Sequence, residues 1–121
     1  MPDNDQIVRD FLQAWNRRGV DAIMDFFSED ASYRNMPMGP AHEGRIAIRG
    51  FIEGFIGAAT HIDFQLRHQL ADDRRVMNER LDVLHIGGAE IALPVMGIFL
   101  LQGGKICVWR DYFDMAAFTA A

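Results

Sequence analysis

Glu90-Ile91-Ala92-Leu93-Pro94-Val95-Met96-Gly97-Ile98-Phe99-Leu100-Leu101-Gln102-Gly103-Gly104-Lys105-Ile106-Cys107-Val108-Trp109-Arg110-Asp111-Tyr112-Phe113 is the stretch on which the fold turns. It reads as two strands, Glu90 to Gln102 and Lys105 to Phe113, joined at Gly103-Gly104, a pair suited to a tight hairpin turn. The first strand is apolar on both faces, Leu93, Val95, Phe99 and Leu101 against Met96, Ile98 and Leu100, which places it inside a sheet. Pro94 has no N–H to give to a ladder, so an edge or a bulge is expected beside it. The second strand runs into Trp109-Arg110-Asp111-Tyr112-Phe113-Asp114, where charged and aromatic residues crowd together.

Working back along the chain, Arg75 to Ile86 is a third strand, ended by Gly87-Gly88. Thr60 to Gln69 is a fourth. It alternates Ile62, Phe64 and Leu66 with Asp63, Gln65 and Arg67, the pattern of a half-buried strand, and Ala71-Asp72-Asp73-Arg74 turns between the two. Gly44 to Ala59 reads as a helix with Ile48, Phe51, Ile52, Phe55 and Ile56 inward. Ala31 to Asn35 is a short strand that Met36-Pro37-Met38-Gly39-Pro40 brings to an end, and Ser28-Glu29-Asp30 is a turn before it. Asp21 to Phe27 is a short helix. Pro2 to Arg17 is a longer one, with Asp3 and Gln6 at capping-box spacing, an apolar stripe of Ile7, Val8, Phe11, Leu12 and Trp15, and Gly19 as a left-handed cap. Ala116 to Ala121 is a short tail. Helices with one strand among them, then four antiparallel strands, make an α+β fold: three helices packed on one face of a strongly curved sheet. Such a sheet, closed by helices, is a cone with a pocket inside.

The chain has 121 residues, one domain's worth, and half of them are hydrophobic, enough for a core. Its net charge is −5 with no basic block, which argues against nucleic acid and anionic membrane as partners. The opening residues are acidic and polar rather than basic and then apolar, so no signal peptide is expected, and no apolar run is long enough to span a bilayer. The single cysteine, Cys107, rules out an internal disulfide framework and suits a reducing cytoplasm. His42, His61, His68 and His85 fit no familiar metal-ligand spacing. A phosphate loop, a dinucleotide fingerprint and a Gly-x-Ser-x-Gly elbow are all missing.

The candidate chemistry lies on three strands. Arg80 and Asp82 are two apart and share a face with Asn78, Leu84 and Ile86; a face that passes from polar to apolar suits a pocket wall. On a half-exposed sheet the same pair would be a solvated ion pair of little consequence. Asp111 shares its face with Trp109 and Phe113. Flanking aromatics exclude water, which makes a carboxylate a stronger base unless hydrogen bonds or a cation offset the effect. An Asp held by an arginine for structure, or one at an exposed sheet edge, is the competing reading. Tyr33 and Asn35 put a phenol and a carboxamide on one face, and with a carboxylate they can hold one water. Two carboxylates bridged by an arginine need not titrate alike, so one can act as base and the other as acid. Opening an epoxide with water asks for that combination: a proton removed from the attacking water and a proton given to the leaving oxygen.

Tyr33-Arg34-Asn35-Met36-Pro37, Gly44-Arg45, Glu79-Arg80-Leu81-Asp82-Val83-Leu84, Gly97-Ile98-Phe99, Gly104-Lys105-Ile106 and Trp109-Arg110-Asp111-Tyr112-Phe113-Asp114 run in order over most of the chain. In these stretches the sequence resembles the limonene-1,2-epoxide hydrolase family, within the fold group of nuclear transport factor 2, SnoaL and ketosteroid isomerase. The resemblance implies that Asp111 is the base, that Tyr33 and Asn35 help hold the water, that Asp82 is the acid and that Arg80 bridges the two aspartates. It also implies a cofactor-free enzyme and a homodimer built through the sheet. The short termini depart from family members that carry extra segments closing the pocket, which bears on pocket size and substrate.

Met36, Met38, Phe51, Phe55, Leu84, Ile86, Leu93, Val95, Met96, Trp109 and Phe113 are the expected lining, and they suit a small apolar epoxide, whether terpene, sterol, fatty-acyl or arene. Two other functions fit the same fold. One is an isomerase or cyclase that moves a proton with a single acid; the other is a binding module that keeps the cavity without the chemistry.

Overall fold

The computed structural model describes residues 3–119. Its element order is α1 (Asn4–Asn16), α2 (Val20–Met24), β1 (Phe27–Asn35), a 3-10 turn (Met36–Met38), β2 (His42–Glu43), α3 (Gly44–Ala58), β3 (Ala59–Ala71), β4 (Arg75–Ile86), β5 (Ala89–Gln102), β6 (Lys105–Tyr112) and α4 (Ala116–Thr119). The strands form one sheet in the order β2-β1-β6-β5-β4-β3. All neighbours are antiparallel except β1 and β6, which run parallel. This is the α+β architecture that the sequence reading expects, helices on one face of a single sheet.

The core lies between the concave face of the sheet and the helices. From α1 it takes Val8, Phe11, Leu12 and Trp15, and from α3 Ile48, Ile52 and Ile56; the strands contribute Ile62, Val76, Phe99, Ile106 and Trp109. Phe11 sits at its centre, edge-on to Phe27 at 5.5 Å and to Trp109 at 5.0 Å between ring centroids, distances typical of favourable aromatic pairs. Asp3 caps α1 by accepting from the Gln6 N–H, while the Gln6 side chain reaches forward to Asp10, so only half of the expected capping box forms. Gly103 and Gly104 have φ of 58° and 78°, the left-handed pair that a two-residue hairpin needs.

Several boundaries differ from the sequence reading. Ser28-Glu29-Asp30 is not a turn: β1 begins at Phe27 and contains it, with an irregular register against β6 between Phe27 and Ser32. The left-handed residue after α1 is Arg18 (φ 59°), and Gly19 instead caps the start of α2. The sheet has a sixth strand, the two-residue β2. Pro94 pairs opposite Leu81 in unbroken register, so there is no bulge. It lies beyond the last β5–β6 pair, Met96 with Tyr112, where that side of β5 has no neighbouring strand. The outer face of β5 is not covered: Met96 is 48% exposed, and Ile98 and Leu100 are half-buried. Part of the expected tail, Ala116–Thr119, is a helical turn; residues 120–121 and Pro2 lie outside the described residues. Among the described residues no helix is long and apolar enough to cross a membrane.

Candidate active site

One row across the sheet explains the site. Asn35 on β1 pairs with Asp111 on β6, Asp111 with Gly97 on β5, and Gly97 with Asn78 on β4. In-register residues point to the same face, so three polar side chains converge on the concave side with a gap at Gly97. Arg80 fills the gap. It starts on β4, crosses the bare backbone of β5 and reaches Asp111: its Nη2 donates to Asp111 Oδ2 at 2.8 Å and to Asp82 Oδ2 at 3.0 Å, and its Nε to Asp82 Oδ1 at 3.1 Å. Its Nη1 donates to Asn78 Oδ1 at 3.0 Å. A Cβ on Gly97 would lie 2.7 Å from Arg80 Nη1 and 2.7 Å from Asp111 Oδ1, closer than real contacts allow.

The guanidinium is 1% exposed and both aspartates 4%. Burying three charges is costly unless each is paired and hydrogen-bonded, and here they are. Asp111 also accepts from Trp109 Nε1 at 2.7 Å. Trp109 is held by stacking on Tyr33, ring centroids 4.1 Å apart and nearly parallel, and on Phe99 at 5.4 Å. The Phe64 ring lies 5.3 Å from the guanidinium carbon. Asn78 is fixed in turn by donating to Gln69, which donates to Asp5. Asn35 Nδ2 donates to the Tyr33 hydroxyl at 3.2 Å.

Burial pushes the Asp82 carboxyl up to about 6, opposed by the Arg80 charge and its hydrogen bonds and assisted by the charges of Asp111 and Asp63. Burial, with Asp111 nearby, drives the Tyr33 phenol well above its usual range, so it keeps its proton. Burial works against the Arg80 charge, but Asp111 and Asp82 outweigh it and the net shift is upward.

Asp82, Asp111, Tyr33 and Asn35 all face one cavity of about 60 Å³. Of the expected lining, Met38, Phe51, Phe55, Leu84, Leu93, Val95 and Phe113 border it. Met96 does not: it is one residue out of phase with Val95 and points to the outer face, about half exposed. Trp109 lies behind the cavity as the support of Asp111, and Met36 and Ile86 are not part of the wall. Trp15, Phe64 and Phe118 complete it. Trp15 and Phe64 belong to the apolar stripes of α1 and β3, and nothing in a stripe says which member meets a cavity. Gly97 and Asn78 were also legible in part: a glycine inside an apolar strand marks a close approach, and Asn78 shares the face of Arg80. Arg45 serves elsewhere, donating to the carbonyls of Met24 and Phe27 where α2 meets β1. A larger open groove near Asn4, Arg74 and Lys105 holds none of the acid–base residues. Among the described residues no three His, Cys, Asp or Glu side chains are grouped to hold a metal ion.

The family profile described as the limonene-1,2-epoxide hydrolase catalytic domain matches residues 2–121. The chain belongs to the limonene-1,2-epoxide hydrolase family. Epoxide hydrolase EphG of Mycobacterium tuberculosis (strain ATCC 25618 / H37Rv) is 31% identical over 111 residues, covering 89% of this chain and 71% of that protein. The solved structure of an M. tuberculosis LEH-like epoxide hydrolase superposes with a TM-score of 0.83 at 26% identity, over 95% of this chain and 85% of that one. A Catenulispora acidiphila protein with a ketosteroid isomerase-like fold superposes at a TM-score of 0.88 over 98% of this chain and 92% of that one, at 21% identity, which speaks to the fold alone.

Proposed function

We propose that the chain is an epoxide hydrolase that adds water to an apolar epoxide in one step, giving a vicinal diol. The observation that carries the reading is the guanidinium of Arg80 bound to both aspartates at the wall of an otherwise apolar cavity. Water sits between Asp111, the Tyr33 hydroxyl and the Asn35 carboxamide. Asp111 takes a proton from it as the oxygen attacks a ring carbon. The carbon–oxygen bond of the strained ring breaks, and Asp82 gives its proton to the leaving oxygen. One water and one epoxide become one diol; Asp111 ends protonated and Asp82 ionised, and a proton returned to Asp82 resets the site. Ring strain supplies much of the driving force, so the step needs no cofactor. An isomerase of this fold moves a proton with one carboxylate and would leave the Arg80–Asp82 pair without a task.

The cavity's size bears on the substrate. At about 60 Å³ it holds the reacting water and little more until a wall moves. Phe118, on a helix of one turn and 6.0 Å from Phe113 between ring centroids, is such a wall. Phe118→Ala is expected to raise kcat/KM for bulky epoxides relative to small ones, measured on a size series of alkyl epoxides. Met77, Met96 and Tyr112, each about half exposed on the convex face, support a homodimer built through the sheet.

The reading is tested by incubating the protein with a panel of apolar epoxides in buffer containing a chelator. Diol from any of them supports it, and a panel left intact at high enzyme concentration speaks against it. The pH profile is a second check. Asp82 must carry a proton to act as the acid, and its carboxyl is pushed up to about 6. A group that must be protonated loses activity as pH rises, so kcat/KM should fall through an apparent pKa near that value. A profile flat up to pH ~8, well above that range, would remove Asp82 from the acid's role.

A further inference from the structure

Among the described residues, the buried side-chain nitrogens and oxygens all have partners except one, the indole Nε1 of Trp15. Trp15 is 1% exposed and is one of the side chains bordering the catalytic cavity. Around it stand Phe11, Phe55, Phe64 and Trp109, with ring centroids 5.3 to 6.5 Å away, and an aromatic ring offers no strong acceptor. A buried N–H left without a partner is rare in folded proteins because it has lost its water for nothing. The other polar groups of the cavity wall are spoken for: Tyr33 and Asn35 bond each other, Asp82 holds Arg80, and Asp111 holds Arg80 and the second indole. None of these groups is the acceptor that Trp15 lacks, and because Trp15 borders the cavity an occupant of the cavity can supply one.

We propose that Trp15 is a specificity-determining donor, and that the substrate carries a second oxygen, a carbonyl or ether, that accepts its N–H while the epoxide meets Asp82 and Asp111. The inference rests on the hydrolase reading of the same cavity and narrows its substrate class from plain hydrocarbon epoxides to oxygenated ones. The spacing suits a small molecule. Phe64 lies between the two ends, its ring 5.3 Å from that of Trp15 and 5.3 Å from the guanidinium carbon of Arg80. A chain of a few carbons spans that gap. Sites built to bond a substrate's polar group discriminate strongly against analogues lacking it, because the site's own group is then left unpaired.

Two probes separate the possibilities, 5,6-epoxyhexan-2-one and 2-methyl-5,6-epoxyhex-1-ene, which differ only in C=O for C=CH2. After correction for uncatalysed opening, the parent should favour the ketone about tenfold in kcat/KM, the worth of one neutral hydrogen bond. In Trp15→Phe the ratio should fall to about one. Loss of packing alone would slow both probes and leave their ratio unchanged. An equilibrium measurement does not depend on that variant folding. The chain has two tryptophans, so a 15N-labelled sample of Asp111→Asn, used to prevent turnover, gives two indole signals. The ketone should move the Trp15 signal downfield and the alkene should not. Equal kcat/KM for the two probes overturns the proposal, as does a ketone that fails to move the Trp15 signal, whose N–H then rests on a ring face. If neither the probes nor any epoxide of the panel is hydrolysed yet the ketone still moves that signal, the donor role stands and the hydrolase reading fails.

Discussion

Asp111→Asn is expected to lower kcat/KM for epoxide opening by about three orders of magnitude, within the range a positioned general base contributes. The substitution keeps shape and removes the basicity, together with one of the two charges that face Arg80. The amide oxygen can still accept from Trp109 Nε1, which lies 2.7 Å from Asp111 Oδ1, and Arg80 keeps its two bonds to Asp82. The fold should therefore survive, and a thermal melt run beside the assay separates lost chemistry from lost structure. If Asp111 is instead a structural partner of Arg80, the melt moves and the activity of the folded fraction stays within a few-fold of the parent, against the hundredfold or more that a general base contributes.

Gly97→Ala should cost about 100-fold in kcat/KM without removing any reacting group. The added Cβ would lie 2.7 Å from both Arg80 Nη1 and Asp111 Oδ1 and 3.0 Å from Asn78 Oδ1. None of these can swing away freely, since Arg80 is tied to Asp82 and Asn78 to Gln69. The guanidinium must rise off the sheet and carry Asp111 with it. Misplacing a catalytic group by about an ångström costs on the order of 100-fold in rate, and overfilling a packed site typically costs ~1–3 kcal/mol of stability. A cycle with Asp111→Asn identifies the cause. If Gly97 acts by positioning Asp111, the double variant is no slower than Asp111→Asn alone, because effects of residues that act as a unit do not add. Additive losses would mean that Gly97 acts through something else.

The two halves of this site were not equally legible. Alternation is clear in β3, which has one face on the core, and in every strand a period of two fixes which side chains are neighbours. That logic places Arg80 with Asp82, and Asp111 with Trp109. It does not place β4 near β6. The sheet order, with β5 between them and glycine at the crossing, is what lets one guanidinium touch both carboxylates. β1 shows the limit on the other side. Ser28, Glu29 and Asp30 have turn chemistry, yet they are extended because Phe27 and Ala31 on either side are drawn into the core and β6 runs alongside. Tertiary pairing outweighs local preference there. Met96 is a phase error of one residue: in a strand apolar on both faces, composition does not say which face is inside. Gly19 is a similar case, a residue suited to the left-handed cap displaced by one position because Arg18 takes that conformation and donates to the carbonyls of Ile56 and Thr60. Phe118 belongs to a segment too short and too apolar to be read as anything but a tail.

The measurement that tests the central claim most directly is a single turnover in 18O-labelled water, with enzyme in excess over an epoxide it is known to open. Direct attack by water held at Asp111 predicts one 18O in every diol molecule of the first turnover and none in the protein's Asp111 peptide. Unlabelled diol together with 18O in the Asp111 carboxyl after turnover would contradict it, because the carboxylate itself would then have attacked the ring.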